Sequence, residues 1–232
     1  SKWEYINIKA ETKIPAMFDA ADDFKDGLAV VRMNNKYGAI NKAGDFVVQP
    51  IYEENLWNMG EGLIGFYDKN EKAGIINQNG DVKVPAMYED LGNLSDDMIW
   101  FEGKNKCGYL DKNGNIAIPE MYYSVWAFYE GLAWVKQSSE SEYYQCIDKN
   151  NNTVFRLGKN EYPETGFHNG LALVATENGY KYVDTKGALV YTWSYDNDEW
   201  YTPKKVQKRT MKGGVRVAEQ DDMTLHFDSH KL

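Results

Sequence analysis

The sequence predicts an all-β protein made of tandem units of about 35 residues, each a three-stranded meander. Three observations predict it. Several landmarks recur in phase along the chain. Short apolar runs alternate with turn residues rather than following a helical period. The composition, with 17 Tyr, 7 Trp, 20 Gly and 20 Asn, favours pleated surfaces and tight turns.

The first landmark is a phrase of the form aromatic or small residue, two residues, an aliphatic, then Asp or Asn. It ends at Asn7, Asn41, Asn77, Asp111, Asp148 and Asp184, at spacings of 34, 36, 34, 37 and 36. The second is a Gly followed by an apolar run, at Gly27, Gly62, Gly131 and Gly170, with Asp97-Met98-Ile99 standing in for it once. The third is Pro15, Pro50, Pro85 and Pro119, each followed within three residues by an aromatic.

Within one unit, the apolar run after Gly reads as a strand and the Asx-ending phrase as a second. Between them lie hairpin residues such as Asn34-Asn35 or Asn178-Gly179. The Asx side chain is expected to accept turn N–H groups, with a Gly three residues on closing the turn. A third strand follows, as in Phe46-Val47-Val48, and Pro is expected to end it because it offers no ladder donor. A connector then returns to the next Gly. The stretch Gly214 to Asp228 repeats the 14-residue interval from Gly27 to Asn41 and reads as a partial final unit. The organisation is therefore β-repeats over residues 1–193, an aromatic and basic insertion over 194–213, and a partial terminal repeat over 214–232.

One such unit cannot bury its apolar face alone, so neighbours must stack. The expected form is an open β-solenoid or superhelix. The alternative is a closed β-propeller, whose blades usually have four strands in 40 or so residues.

These landmarks resemble the bacterial WG-repeat family, whose unit runs loosely eGLA-V, K-W-G-Y-I-D-x-x-G-x-x-V-I-P, Y. The match here is Gly27-Leu28-Ala29-Val30, Lys36-Tyr37-Gly38-Ala39-Ile40-Asn41, Gly44, Val48-Gln49-Pro50 and Tyr52, and similarly in later units. The name-giving dipeptide is replaced by Trp3-Glu4, Tyr37-Gly38, Ala73-Gly74 and Cys107-Gly108. The resemblance implies a bacterial repeat protein acting as a binding or scaffolding module, and it offers no catalytic residues to carry over.

Composition limits the function. Net charge is −9, and the basic residues are 22 Lys and only 4 Arg, so nucleic acid is not an expected partner. No run of 18 apolar residues supports a transmembrane segment. The N-terminal Ser1-Lys2-Trp3 reads as a trimmed or mature end, compatible with a cytoplasmic protein or with export after loss of a leader. Cys107 and Cys146 form no metal or redox motif and read as core fillers, and His168, His226 and His230 lack ligand spacing. No nucleophile elbow, phosphate loop or triad is present, so neither cofactor nor metal is expected.

The candidate binding residues are those outside the repeat's core positions. Trp57 and Trp126 each lie seven residues after a Pro, in the connector, where Asp22 and Gly92 stand in other units. They read either as an exposed platform or as rings tucked under the connector. The insertion stretches the Gly170 to Gly214 interval to 44 residues and brings Tyr191, Trp193, Tyr195, Asp196, Asp198, Glu199, Trp200 and Tyr201 close in sequence. It reads as a cap on the stack or as an acidic aromatic binding patch. The run Lys204, Lys205, Lys208, Arg209, Lys212, Arg216 reads as a solvated linker. The expected function is non-enzymatic, with protein–protein interaction first and carbohydrate or cell-wall binding second. A glycoside hydrolase built on spatially paired carboxylates is third.

Overall fold

The computed structural model describes residues 2–195 and, for backbone, residues 199–201. The described residues form 23 strands and no helix. The strands group into six antiparallel sheets, numbered here in chain order. Sheet 1 has two strands, Trp3–Ile6 and Thr12–Phe18. Sheet 2 has four in sequential order: Ala20–Ala21, Leu28–Met33, Lys36–Asn41 and Phe46–Tyr52. Sheet 3 repeats this with Leu56–Gly60, Leu63–Tyr67, Ala73–Asn77 and Val82–Tyr88. Sheet 4 uses Asp90–Leu91, Met98–Glu102, Cys107–Asp111 and Ile116–Tyr122. Sheet 5 uses Ser124–Val125, Leu132–Lys136, Gln145–Asp148 and Thr153–Arg156. Sheet 6 begins with Tyr162–Pro163, Leu171–Thr176, Gly179–Asp184 and Leu189–Ser194, and adds a fifth strand, Glu199–Tyr201.

The repeat unit thus has four strands where the sequence predicts three. The connector supplies the extra one, which is two residues long in four of the sheets. So short a strand carries no readable period-2 pattern and exists because the next strand offers it an open edge, as in Ala20↔Arg32 and Ala21↔Val31. A four-stranded unit also removes the strand-count argument against a propeller.

The prolines differ from expectation too. Pro15, Pro50, Pro85 and Pro119 lie inside the fourth strands rather than ending them. Each sits in a bulge: Ala39 pairs Val48, but Tyr37, two residues away, pairs Tyr52, four residues away. The missing N–H costs nothing there, because the bulge leaves residues unpaired and the strand is an edge.

The Asx positions behave as predicted. Asn41 Oδ1 accepts from the Ala43 and Asp45 amides at 2.9 and 3.0 Å. Asn7, Asn77, Asp111, Asp148 and Asp184 make the same pair of bonds at the ends of equivalent strands.

Five apolar clusters fill the five spaces between successive sheets. The second strand of each unit supplies both sides by simple alternation. Leu28 and Val30 face sheet 3, while Ala29 and Val31 face sheet 1. Leu132 and Trp134 face sheet 6, while Ala133 and Val135 face sheet 4. Burial on both faces explains why these strands are continuous apolar runs. Fully enclosed rings such as Phe128, Trp134 and Phe167 are each worth about 1.5–3 kcal/mol in area removed from water.

Polar ties reinforce the stack at the turn before the second strand. Asp26, Glu61, Asp96, Glu130 and Asn169 all adopt positive φ there, between 48° and 53°. Three of these side chains reach forward to the next turn: Asp26 Oδ2 accepts from Glu61 N at 3.2 Å, Asp96 Oδ2 from Gly131 N at 2.6 Å, and Glu130 from Asn169 N and Gly170 N at 2.6 and 2.7 Å.

Candidate functional site

Every sheet from the second to the fifth is covered on both faces by its neighbours. Sheet 6 is covered on one face only among the described residues. The same alternation that aims Ala172 and Val174 at sheet 5 aims Leu171 and Leu173 the other way, and both are half-buried. Cross-strand pairing puts Tyr182 and Tyr191 beside Leu173, and Tyr180 beside Trp193. The open face of the last sheet is therefore aromatic.

Its rings make one cluster. Trp193 lies 5.0 Å from Tyr195 in an edge-on arrangement and 5.8 Å from Tyr180, and Tyr180 is 6.1 Å from Tyr195. Tyr195 is 57% exposed and stands at the rim. A hydrogen bond with Tyr195, whose hydroxyl also sits close electrostatically, raises the Tyr180 pKa; burial raises that of Tyr182. Both phenols stay neutral donors at ordinary pH. On the reverse face, Lys181 pairs with Glu161 at 2.6 Å, both side chains about one-fifth exposed. These rings have little rotamer freedom to lose on binding, and each couples a large apolar surface to a polar tip.

Of the residues picked out by sequence, Trp193 and Tyr195 belong to this cluster. The backbone of Trp200 pairs with Trp193, and that of Tyr201 with Thr192, so the insertion begins by extending sheet 6. Asp196 and Asp198 lie outside the described residues, as do the basic run and the proposed terminal repeat.

Trp57 and Trp126 are elsewhere. Both occupy first strands or their ends, and both are half-buried. The Trp57 indole lies over Gly65 and beside Tyr67, ring centroids 5.1 Å apart. Trp126 packs against the sheet 5–6 cluster, and its carbonyl accepts the Tyr109 hydroxyl at 2.7 Å. The structure does not bring these two rings together with the sheet 6 cluster.

Tyr191 belongs to the aromatic stretch the sequence points to, whereas Tyr180 and Tyr182 are the members of this face that sequence reasoning did not single out. Both sit in the Asx-ending phrase, where aromatics read as core. The available signal was period-2 placement of Tyr180, Tyr182, Tyr191 and Trp193 in the last recognisable full unit.

A second concave feature is a shallow depression of about 510 Å³ across the forward-reaching turns, lined by Lys25, Asp26, Glu61, Asp96, Asp97 and Lys149 among others. Its carboxylates are occupied: Asp26 accepts from Glu61 N at 3.2 Å, and Asp97 pairs with Lys112 at 2.8 Å. Among the described residues no group of three or more His, Cys, Asp and Glu side chains is placed to hold a metal ion. No helix there is long and apolar enough to cross a membrane.

The pattern of the WG containing repeat matches residues 5–37, 37–72, 74–107 and 108–139. The chain belongs to the WG-repeat family. No curated sequence matches it significantly. Among solved structures, this WG-repeat chain is similar to a eukaryotic initiation factor, with a TM-score of 0.53 at 13% identity over 79% of this chain and 55% of the other. It is also similar to Hsv2p of Kluyveromyces lactis, at 0.49 and 13% over 76% and 64%, and to BamB of Moraxella catarrhalis, at 0.43 and 9% over 80% and 70%. The chain spans less than two thirds of the length of the first two. At such identities the likeness concerns the fold alone.

Proposed function

We propose that this WG-repeat chain is a non-enzymatic binding module that docks a protein partner on the aromatic face of its last sheet. The observation that carries the reading is the Tyr180–Trp193–Tyr195 cluster, set on a sheet face that no further sheet covers among the described residues. Aromatic residues are the side chains most enriched at the energetic centres of protein interfaces. The chain's net charge of −9 favours a partner with a basic rim around an apolar anchor. The arrangement this reading takes is an open, curved stack rather than a closed ring.

A photoreactive phenylalanine analogue in place of Tyr195, expressed in the native host, tests this. A discrete adduct to another protein that disappears in a Trp193→Ala background supports the reading. An adduct to sheet 1 of the same chain overturns it and indicates a closed ring. Carbohydrate is the second reading, favoured by the flat stacking surface Trp193 offers a sugar ring. Binding on a glycan array that is lost in Trp193→Ala, with no protein adduct, selects it.

A further inference from the structure

Sheet 5 departs from its neighbours at one end. In sheets 2 to 6 a hairpin joins the second and third strands. It spans two residues in sheets 2 and 6, five in sheet 3 and four in sheet 4, but eight, residues 137–144, in sheet 5. That hairpin exceeds the roughly two to five residues usual for such loops.

The charges change at the same end of the stack. In sheets 1 to 3 a lysine at the start of the Asx-ending strand pairs with an acid just past the Pro-containing strand. The pairs are Lys2–Asp19, Lys36–Glu53 and Lys72–Glu89, at 2.5–2.6 Å. In sheet 4 the acid's place is taken by Tyr123, 53% exposed, and Lys106 donates to the Met121 carbonyl instead, at 3.1 Å. In sheet 5 Tyr143 takes the lysine's place.

The rings and cations there form one run. The Tyr123 amide donates to the Lys136 carbonyl at 2.8 Å. The Lys136 ammonium lies 5.8 Å from the centre of the Tyr144 ring, and Tyr144 meets Tyr162 edge-on at 6.3 Å. The Arg156 guanidinium lies 5.4 Å from the centre of the Tyr143 ring. Tyr143, Arg156 and Tyr162 are exposed. Neither Lys136 nor Arg156 forms an ion pair among the described residues. A ring face holds a cation in place without filling its N–H donors, and a guanidinium so held can take a carboxylate on two of them. Glu142, beside Tyr143, is already neutralised by Lys159 at 2.6 Å. The matching pair in sheet 2, Arg32 over Tyr37, stands beside the Lys36–Glu53 ion pair and so presents no free positive surface.

We propose that the hairpin end of sheet 5, with Lys136 and Arg156 set among Tyr123, Tyr143, Tyr144 and Tyr162, docks a short acidic segment of a protein partner. Charge complementarity selects the acid, and the tyrosines supply rigid contact area with polar tips. Neighbouring acids limit the length. Glu140 stands in the hairpin tip, Glu102 and Glu120 on the sheet 4 side, and Glu177 in the sheet 6 hairpin. With about 10 Å between stacked sheets, the positive strip is one sheet wide and fits a segment of about two or three carboxylates. A long polyanion such as a nucleic acid would run onto the flanking acids. This surface is separate from the open face of sheet 6 and does not depend on the docking proposed there.

Titration of the full chain with octaglutamate at low ionic strength, followed by NMR, tests the assignment. Shifts are expected to centre on the four tyrosine rings and the Arg156 Nε–H. The double reversal Lys136→Glu/Arg156→Glu is expected to weaken binding at least about tenfold, as the loss of charge-assisted pairs requires. Lys42→Glu/Lys83→Glu makes the same change in net charge at two exposed lysines elsewhere and is expected to stay within about twofold. Equal weakening by both pairs would mean that the peptide reads net charge alone and would overturn the proposal. So would shifts centred elsewhere, or no binding by the unaltered chain. Arg156→Ala gives the same readout at an exposed position without touching half-buried Lys136, and an unchanged affinity there counts against the site equally. An oligogalacturonate of equal charge that binds more tightly than the peptide would transfer the surface to anionic sugars. Trp193→Ala is expected to bind octaglutamate as the parent does, so this proposal and the sheet 6 reading fail separately. Loss of binding in that variant would show that the acid docks on sheet 6 instead.

Discussion

A Cβ on Gly38 would come within 2.9 Å of the Pro50 nitrogen and 2.6 Å of the Val48 carbonyl oxygen. The two landmark residues, far apart in the repeat, are one contact. In sheets 2 to 4 the Pro-containing bulge of the fourth strand folds over the third strand and leaves no room for a side chain there; in sheet 1, whose bulge holds Pro15, the equivalent residue is the exposed Glu4. Gly74 faces Ala86 N at 2.8 Å and Gly108 faces Ile118 O at 2.6 Å in the same way. Where the fourth strand has neither Pro nor this second bulge, the position holds Gln145 or Lys181.

Gly108→Ala is therefore expected to destabilise the protein by about 1–3 kcal/mol, the usual cost of forcing volume into a packed site. The loss has no φ component, since this glycine is not in the left-handed region. Denaturant unfolding of parent and variant measures it. An unchanged midpoint would refute the steric account of the Gly–Pro pairing.

The Glu130 clasp predicts a different kind of loss. Its carboxylate holds two amides of the next sheet's turn, yet it is exposed, so solvent screens much of the gain. Glu130→Ala is expected to cost about 1 kcal/mol. The local effect should be larger: faster hydrogen exchange at Asn169 and Gly170, with little change at Gly131, whose amide is held by Asp96. Equal acceleration at all three would mean the sheets do not clasp pair by pair.

Much of this architecture was legible because single residues encode it. An Asx side chain that closes its own turn leaves the same mark in every unit, as Asn41 and Asp148 do. The strand Leu28–Met33 shows as an apolar run because both its faces are covered. What escaped were features set by neighbours. Ala20–Ala21 is a strand only because Arg32 and Val31 present an edge to it. Pro50 is tolerated inside a strand only because a bulge surrounds it. Tyr180 and Tyr182 are written like core aromatics, and their exposure depends on whether another sheet stacks on sheet 6 rather than on their own segment.

The two thiols should be poor nucleophiles. Burial pushes Cys146 up to about 12, and burial, with Glu102 and Glu120 adding to it, pushes Cys107 up to about 11. Thiolate is the reactive form, so alkylation by iodoacetamide at pH 8 is expected to be far slower than for a model thiol near 8.5. Cys107, half-buried, should react before the fully buried Cys146. Full labelling of both within the time taken by a free peptide would show that the strands around them open easily.

Acid titration should isolate one turn. In Asp148 the side-chain bond from Asn152, then the Asn152 and Asn150 amides, hold the carboxyl below its ordinary 3.8. A depressed folded-state value means stability that is fully present above the unfolded value and lost as pH falls through the folded one. Asp148→Asn keeps the acceptor oxygen, as Asn41 and Asn77 do in their turns, but removes the titration. The parent's advantage over Asp148→Asn is therefore expected to be constant above about pH 5 and to shrink below about pH 4. Asp148→Ala, lacking the acceptor altogether, should cost about 1 kcal/mol even where the Asn variant is near neutral. Unfolding curves of the three proteins from pH 7 to pH 3 separate the two contributions. A gap between parent and Asp148→Asn that does not change with pH would show that the turn gains nothing from the charge.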